Sequence, residues 1–395
     1  MRIGLVLIKT PSFSERFLIS KIKNLQQAGH EVILFVNKRD DFKICQVVGM
    51  PTVSNSFYLQ IIKMALTYLF ILVRSPKAVI NFLRFEKQDG NSFRHRWENL
   101  YLNYKILSQN LDWLHFSFAA TTFRKENIAK SIDAQMGVSL RGYDIDIYPL
   151  KHKSCYSLMW RKVDKIHSIS YSLLKKARKF GLDNSIDQKV IFPAVDTEKF
   201  KYIRNSISLE SKKTIEILTV ARLHWIKGLE YTIEAMGKLE SINFRYTIIG
   251  NGDEYERLVL VINELNLENK VRLVGYIPND DLIPFYNKAD LYIQYSIEEG
   301  FCNAVLEAQS MGVPTIVSNA SGLMENIVDE ETGWIVPKRE PTLLAKKIKQ
   351  VISMKKDKLN YFRLNGIQRV KSKFSLNVQK SHFNSFFNES SLQTK

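Results

Sequence analysis

The chain has 395 residues, 45% of them apolar, and a formal net charge of +17, which is enough for two domains that each bury a proper core. Its three cysteines, Cys45, Cys155 and Cys302, form no Cys-x-x-Cys pair. That argues against a disulfide framework or a structural zinc site and fits a reducing cytoplasm. The charge is uneven, with 31 Lys and Arg against 17 Asp and Glu in residues 1–200 and 26 against 23 in residues 201–395, so the first half suits an anionic partner (membrane lipid, nucleic acid or a phosphorylated substrate) or is a lysine-rich soluble surface.

The opening run "MRIGLVLIK" is too short for a signal peptide and is ended by Lys9, so Ile3–Ile8 reads as a first buried strand. A helix over Glu15–Ala28 and a strand over Glu31–Val36 follow. The next helix, Phe57–Val73, contains the most apolar segment, Met64–Val73, bounded by Lys63 and Arg74. That segment falls short of the roughly 20 residues of a membrane span. It reads as a core helix, with a helix lying on a membrane surface as the alternative. Then come a helix over Trp97–Ser108, strands over Trp113–Phe118 and Ala134–Leu140, a helix over Ser172–Phe180 and a strand over Lys189–Ile191. The polar stretch Lys201–Lys213 reads as a linker. Beyond it, strands are expected at Ile215–Val220, Arg245–Ile249, Val271–Val274, Leu291–Gln294 and Thr315–Ser318, and helices at Leu229–Leu239, Glu254–Leu265, Asp281–Lys288, Ala304–Met311 and Pro341–Ser353. Such alternation predicts an α/β protein of two Rossmann-like domains, each a parallel sheet covered by helices, with the site in the cleft at the carboxyl ends of strands.

Three stretches of the second half carry candidate chemistry. In "TVARLHWIKGLEYTIEA", Arg222 and Lys227 fall on a strand-to-helix loop, where two cations suit a diphosphate; a pair of surface charges is the plainer reading. In "YTIIGNGDEYERL", Gly250 and Gly252 permit a tight turn and Asp253 can cap the next helix, but the pattern is neither a dinucleotide fingerprint nor a Walker loop. In "IEEGFCNAVLEA", Asn303 is a candidate N-cap for a helix from Ala304, Gly300 lets the backbone approach a ligand, and the amides near Phe301, Cys302, Asn303 and Ala304 suit a phosphate. Glu299 on the loop and Glu307 one turn into the helix can accept hydrogen bonds from sugar hydroxyls at the two ends of a nucleotide-sugar, or they are a solvated and a helix-face glutamate.

"ARLHWIKG", "IIGNGDEYERL", "VRLVGYIPNDDL" and "EEGFCNAVLEAQSMGVPTIVSNASGLMENIVDEETGWIVP", in order over nearly all of residues 215–340, resemble the retaining glycosyltransferase family 4. The resemblance implies the GT-B fold, with two Rossmann-like domains facing each other across a cleft. It implies an acceptor-side domain over 1–200, a nucleotide-sugar-binding domain over 201–375, and a C-terminal helix in 376–395 that packs back on the first domain. It also implies that Arg222 and Lys227 neutralise the donor diphosphate, that Glu299 binds the donor sugar, that Glu307 binds the ribose, and that the backbone at Tyr276 and Ile277 meets the base. Cys302 stands where the family often has Pro or Gly, and only its backbone is expected to matter. In the first half, "KTPSFSERFL", "LDWLHFSFA" and "VSLRGYDI" resemble the branch that builds bacterial exopolysaccharides such as colanic acid or amylovoran. Acceptor-side candidates there are Ser14, Glu15, His115 and Arg141, with a core role for His115 as the alternative.

These residues predict neutralisation of the leaving diphosphate by fixed cations and helix amides, with no metal and no cofactor. The letters Asp144-Ile145-Asp146 match a metal motif but lie in the family's Gly-x-Asp segment and read as structural. Paired carboxylates of the hydrolase type are not evident. The expected enzyme is a sugar transferase that takes a nucleotide-sugar donor and a saccharide or polyprenyl-diphosphate-linked acceptor at the inner face of the cell membrane, with peripheral contact to anionic lipid and no nucleic acid. Its rivals are a nucleotide-sugar epimerase or hydrolase of the same fold and a non-catalytic anion-binding protein.

Overall fold

The structure, a computed structural model, describes residues 1–11, 16–38, 41–202, 209 and 211–388. Residues 203–208 and 210 of the expected linker therefore lie outside the described residues, as do Ser14 and Glu15. The chain divides into two compact units: Met1–Ile169 with Leu173–Ile191 and the stretch from Lys380, and Ser170–Ser172 with Phe192–Gln379.

The first unit holds a seven-stranded sheet made of β1 (Arg2–Lys9), β2 (Glu31–Lys38), β3 (Gln46–Gly49), β4 (Trp113–Phe116), β5 (Gln135–Leu140), β6 (Lys165–Ser168) and β7 (Asp187–Val190), in the order β3-β2-β1-β4-β5-β6-β7. The second holds a six-stranded sheet of β8 (Ile215–Val220), β9 (Phe244–Ile249), β10 (Val271–Gly275), β11 (Leu291–Gln294), β12 (Thr315–Ser318) and β13 (Trp334–Val336), in the order β10-β9-β8-β11-β12-β13. Every pairing is parallel. Parallel neighbours require crossovers, and helices on both faces explain why β1 and β2 read as apolar runs over 3–8 and 32–36 rather than as alternating ones.

The first unit's core gathers Ile3, Leu5, Leu7, Leu18, Ile22, Leu34 and Trp113. It is completed by Phe383, Phe386 and Phe387, from a helix over Leu376–Asn388. Under those rings lies a buried polar chain. Lys21 Nζ is 2.9 Å from His115 Nε2, which is 2.8 Å from Ser139 Oγ. Ser139 Oγ is in turn 2.8 Å from His167 Nδ1, and His167 Nε2 donates to the Ile191 carbonyl at 3.0 Å.

Several elements depart from expectation. β3, β6 and β13 and the helices Pro76–Gln88 and Lys356–Lys373 were not anticipated. β6 reads Lys-Ile-His-Ser, three polar letters in four, yet all four residues are buried. Its place inside the sheet overrides composition. The helix Phe57–Arg74 forms where the apolar pattern puts it, but it is not a core helix. Only Ile71 is buried, and Phe57, Tyr58, Leu66, Leu69 and Val73 are all exposed.

Candidate active site

In the second unit, three loops meet at the carboxyl ends of β8, β9 and β11. The loop after β8 makes a short 3₁₀ turn, Trp225–Lys227, started by His224, whose Nδ1 accepts from the Ile226 amide. Gly228 ends it at φ +60°, and a Cβ there would lie 2.3 Å from the Tyr295 carbonyl oxygen. Glycine is thus what lets this turn press against the end of β11. The Ile297 amide then donates to the Ile226 carbonyl at 2.8 Å and locks the two loops together.

That closeness brings Lys227 to Glu299. The ammonium meets Glu299 Oε2 at 2.5 Å, both side chains only 13% exposed, and Ser296 Oγ donates to the same oxygen at 3.2 Å. Burial works against the charged lysine. The adjacent Glu299 carboxylate outweighs it and holds the Lys227 pKa above its ordinary value. Arg222 stands exposed on the same loop and forms no ion pair among the described residues.

The glycine turn after β9 serves the same loop. A Cβ on Gly250, at φ +145°, would lie 1.9 Å from the Ala221 carbonyl oxygen, and one on Gly252 would lie 2.1 Å from that of Leu223. Backbone hydrogen bonds run both ways, Leu223 to Asn251 and Glu254 to Leu223. The two glycines therefore seat residues 221–223, and with them Arg222. Glu254, rather than Asp253, occupies the cap position of the helix Tyr255–Glu264, with no side-chain cap bond. Tyr276 is exposed and Ile277 half-buried just beyond β10.

After β11, the helix starts at Asn303, one residue earlier than expected, so Cys302 holds the cap position. Its backbone is clamped from both sides: the Cys302 amide donates to Asn326 Oδ1 at 3.1 Å, and Asn326 Nδ2 donates to the Cys302 carbonyl at 3.0 Å. Burial pushes the Cys302 thiol up to about 12, with the Glu299 carboxylate adding to the effect. A thiol of that pKa is protonated at neutral pH and is a poor nucleophile. Phe301 is also buried, among Phe192 and Phe374. Glu307 is 8% exposed. Its Oε2 accepts from the Tyr286 hydroxyl at 2.7 Å and its Oε1 from Asn279 Nδ2 at 2.9 Å. Burial, reinforced by that carboxylate, raises the Tyr286 pKa well above the ordinary tyrosine value, so the phenol stays a donor.

Among the first-unit candidates, His115 is fully buried on β4 with Phe386 and Phe387 against its ring. Burial first, then Lys21, lowers its pKa well below the ordinary histidine value. That environment gives it the core role and removes it from any accessible surface. Arg141 caps the carboxyl end of β5; its Nε donates to the Ser117 carbonyl at 3.1 Å and its guanidinium lies 3.9 Å from the Phe17 ring centroid. Asp144 accepts from the Ala119 and Ala120 amides, and Asp146 meets Lys176 at 2.5 Å.

Sequence reasoning did not find Tyr286, Asn279 or Asn326. Asn279 and Asn326 lie inside stretches that carry the family resemblance, and Tyr286 carries no signal beyond an ordinary helix face.

Residues 203–369 match the family model described as glycosyl transferases group 1, so the second unit carries a group 1 glycosyltransferase domain. The relative bearing the name colanic acid biosynthesis glycosyltransferase WcaL, from Escherichia coli (strain K12), is 24% identical over 96% of this chain and 97% of its own length. The amylovoran biosynthesis glycosyltransferase AmsK of Erwinia amylovora is 28% identical over 62% of this chain and 61% of its own. Among solved structures, a glycosyltransferase from Rickettsia africae ESF-5 superposes with a TM-score of 0.71 at 20% identity, covering 100% of this chain and 99% of that one. Alr3699/HepE of Anabaena, solved in complex with UDP and glucose, gives 0.73 at 16% identity, covering 99% and 100%. The fold is GT-B, and the chain is a glycosyltransferase whose relatives are named for exopolysaccharide biosynthesis.

Proposed function

We propose that the chain transfers a sugar, with retention of configuration, from a nucleotide-sugar to a saccharide or polyprenyl-diphosphate-linked acceptor at the inner face of the cell membrane. The observation that carries the reading is the partly buried Lys227–Glu299 pair at 2.5 Å, one turn before the helix that holds Glu307. Lys227 and Arg222 neutralise the departing diphosphate, assisted by the amides at the start of the Asn303–Ser310 helix. Glu299, held by Lys227 and Ser296, accepts from the donor sugar. Glu307 accepts from the ribose, and Tyr286 and Asn279 hold its carboxylate ready. Tyr276 and Ile277 border the base, and Arg141 is the acceptor-side candidate. The names of relatives, which include a capsular polysaccharide biosynthesis glycosyltransferase of Staphylococcus aureus, support a surface-polysaccharide acceptor. The neighbour solved with UDP-glucose supports a nucleotide-sugar donor.

The cations make a metal unnecessary, and peripheral contact with anionic lipid fits the surplus of basic residues in the first half. The test incubates a nucleotide-sugar with purified protein in excess chelator, with and without an acceptor extract. Nucleoside diphosphate released only with acceptor is the expected result. Release without acceptor favours a hydrolase or epimerase, and activity lost to chelator and restored by magnesium or manganese overturns the metal-free mechanism.

A further inference from the structure

The helix Phe57–Arg74 is built the wrong way round for a soluble protein. Its inward stripe runs Gln60, Met64, Thr67, Tyr68, Ile71 and includes three polar side chains. The outward face carries Phe57 (73% exposed), Tyr58 (79%), Leu66 (64%), Leu69 (65%) and Val73 (78%), with Ile61, Ile62 and Phe70 between them. The inward polar groups are satisfied: Gln60 Oε1 accepts from the Ser54 amide at 2.8 Å, and the Tyr68 hydroxyl donates to the Trp97 carbonyl at 2.8 Å. An apolar face of this length, about 27 Å at 1.5 Å per residue, is far beyond scattered exposed leucines and marks a docking surface.

We propose that this helix lies in the plane of an anionic bilayer with its apolar face inserted at the boundary between headgroups and acyl chains. The proposal deepens the reading above, on which it rests for the choice of a lipid surface. Length and composition would let the helix cross a membrane. Spanning, however, would strip its inner stripe from the helix Phe93–Leu107, where Tyr68 meets the Trp97 ring edge-on at 4.9 Å and its hydroxyl bonds the Trp97 carbonyl. Lying flat keeps those contacts and covers the outward face.

Charge selects lipid over a second copy of the chain. From Lys43 to Phe85 there is no Asp or Glu, whereas Lys43, Lys63, Arg74, Lys77 and Arg84 are all basic. Two copies joined through this face would bring like charges together with no carboxylate from the segment to offset them. Lys77 and Lys43 pair with Asp133 and Asp41, whereas Lys63, Arg74 and Arg84 form no ion pair among the described residues. Anionic headgroups supply counter-charge to these, and the long stems of Lys63 and Arg74 can reach up to them from an inserted helix.

The test is flotation of the full chain with phosphatidylcholine vesicles with and without phosphatidylglycerol, at low and high salt. Wild type is expected to float with the anionic vesicles and to remain partly bound at high salt, because the apolar face inserts. The double variant Leu66→Glu, Leu69→Glu is expected to lose binding by about tenfold or more, since each leucine loses a substantial apolar burial. Lys63→Gln is expected to weaken binding to anionic vesicles at low salt only. Failure of wild type to bind anionic vesicles, or equal binding by the double variant, overturns the proposal. So does a dimer that the double variant dissociates in the absence of vesicle binding. Donor binding, followed by thermal shift with a nucleotide-sugar on the same proteins, checks folding and is expected to be unchanged. Its absence in wild type would count against the transferase reading and leave the vesicle result standing separately.

Discussion

Lys21, buried, and Lys227, only 13% exposed at its side chain, are lysines withdrawn from water, one in each unit, and their surroundings are opposites. Lys227 faces the Glu299 carboxylate at 2.5 Å and is held ionised. Lys21 faces a histidine and the Phe383 and Phe387 rings, and burial, then the charge of Arg141, lowers its pKa well below the ordinary lysine value. A buried cation survives where a carboxylate compensates its lost hydration; without one it tends to give up its proton. The second unit therefore keeps an ionised lysine at its candidate site, and the first unit's polar chain belongs to the architecture that seats the Leu376–Asn388 helix.

The largest effect that tests this contrast is on stability. Phe386→Ala removes a ring packed on Trp113 and His115 and is expected to cost about 3–5 kcal/mol in urea unfolding of the first unit, with nucleotide affinity retained in the folded fraction. Little loss would show that the helix is dispensable there. Next, Lys227→Ala is expected to lower the transfer rate by about 10²–10³-fold, as removal of one preorganised charge stabiliser does. Lys21→Met should leave the rate within a few-fold, because Lys21 packs in the first unit's core against the Phe383 and Phe387 rings rather than at the candidate site. Equal losses would erase the distinction. Third, Glu307→Gln is expected to weaken binding of the bare nucleoside diphosphate by about 1.5–3 kcal/mol, while Glu299→Gln leaves that affinity near wild type and impairs transfer. Calorimetry with both variants separates them, and equal loss would refute the division of labour.

The smallest effect concerns pH. The folded pKa of His167 is lowered by burial first and then by Lys21, so on acidification the unfolded chain takes the proton first. The stability this histidine contributes is present above about pH 6.5 and is lost as pH falls toward its folded pKa, at about 1.4 kcal/mol per pH unit. Glu126 and Asp144, raised by burial to about 7 and about 6, act in the opposite sense. The difference between wild type and His167→Gln therefore isolates the effect, and it should shift in favour of the variant below pH 6.5. A difference that does not change between pH 7.5 and pH 5 would refute it.

The fold was legible where apolar runs are long and bounded by turn residues. The spans of β8, β11 and β12 coincide with the pattern read from the letters. β6 was not legible, because its polar letters are buried by neighbouring strands that the sequence does not display. The site was legible as three loops but not as a contact: Lys227 and Glu299 are 72 positions apart, and only the close approach at Gly228 brings them together. Tyr286 stayed hidden because a phenol on a short helix looks like any core aromatic until its carboxylate partner is in view. The Phe57–Arg74 helix teaches the converse. Apolar composition says that a segment avoids water, not which medium receives it.

The first unit's core is closed by Phe383, Phe386 and Phe387, residues that are translated only after the whole second unit has been made. Domains ordinarily fold in order as they emerge. Here the earlier-made sheet must wait, with the face that will receive those rings still incomplete, until residues 383–387 have followed the second unit. Its assembly is thus tied to synthesis of the second unit, and a ribosome that stops before residue 383 releases a product whose leading half lacks part of its interior, a natural target for chaperones and proteases.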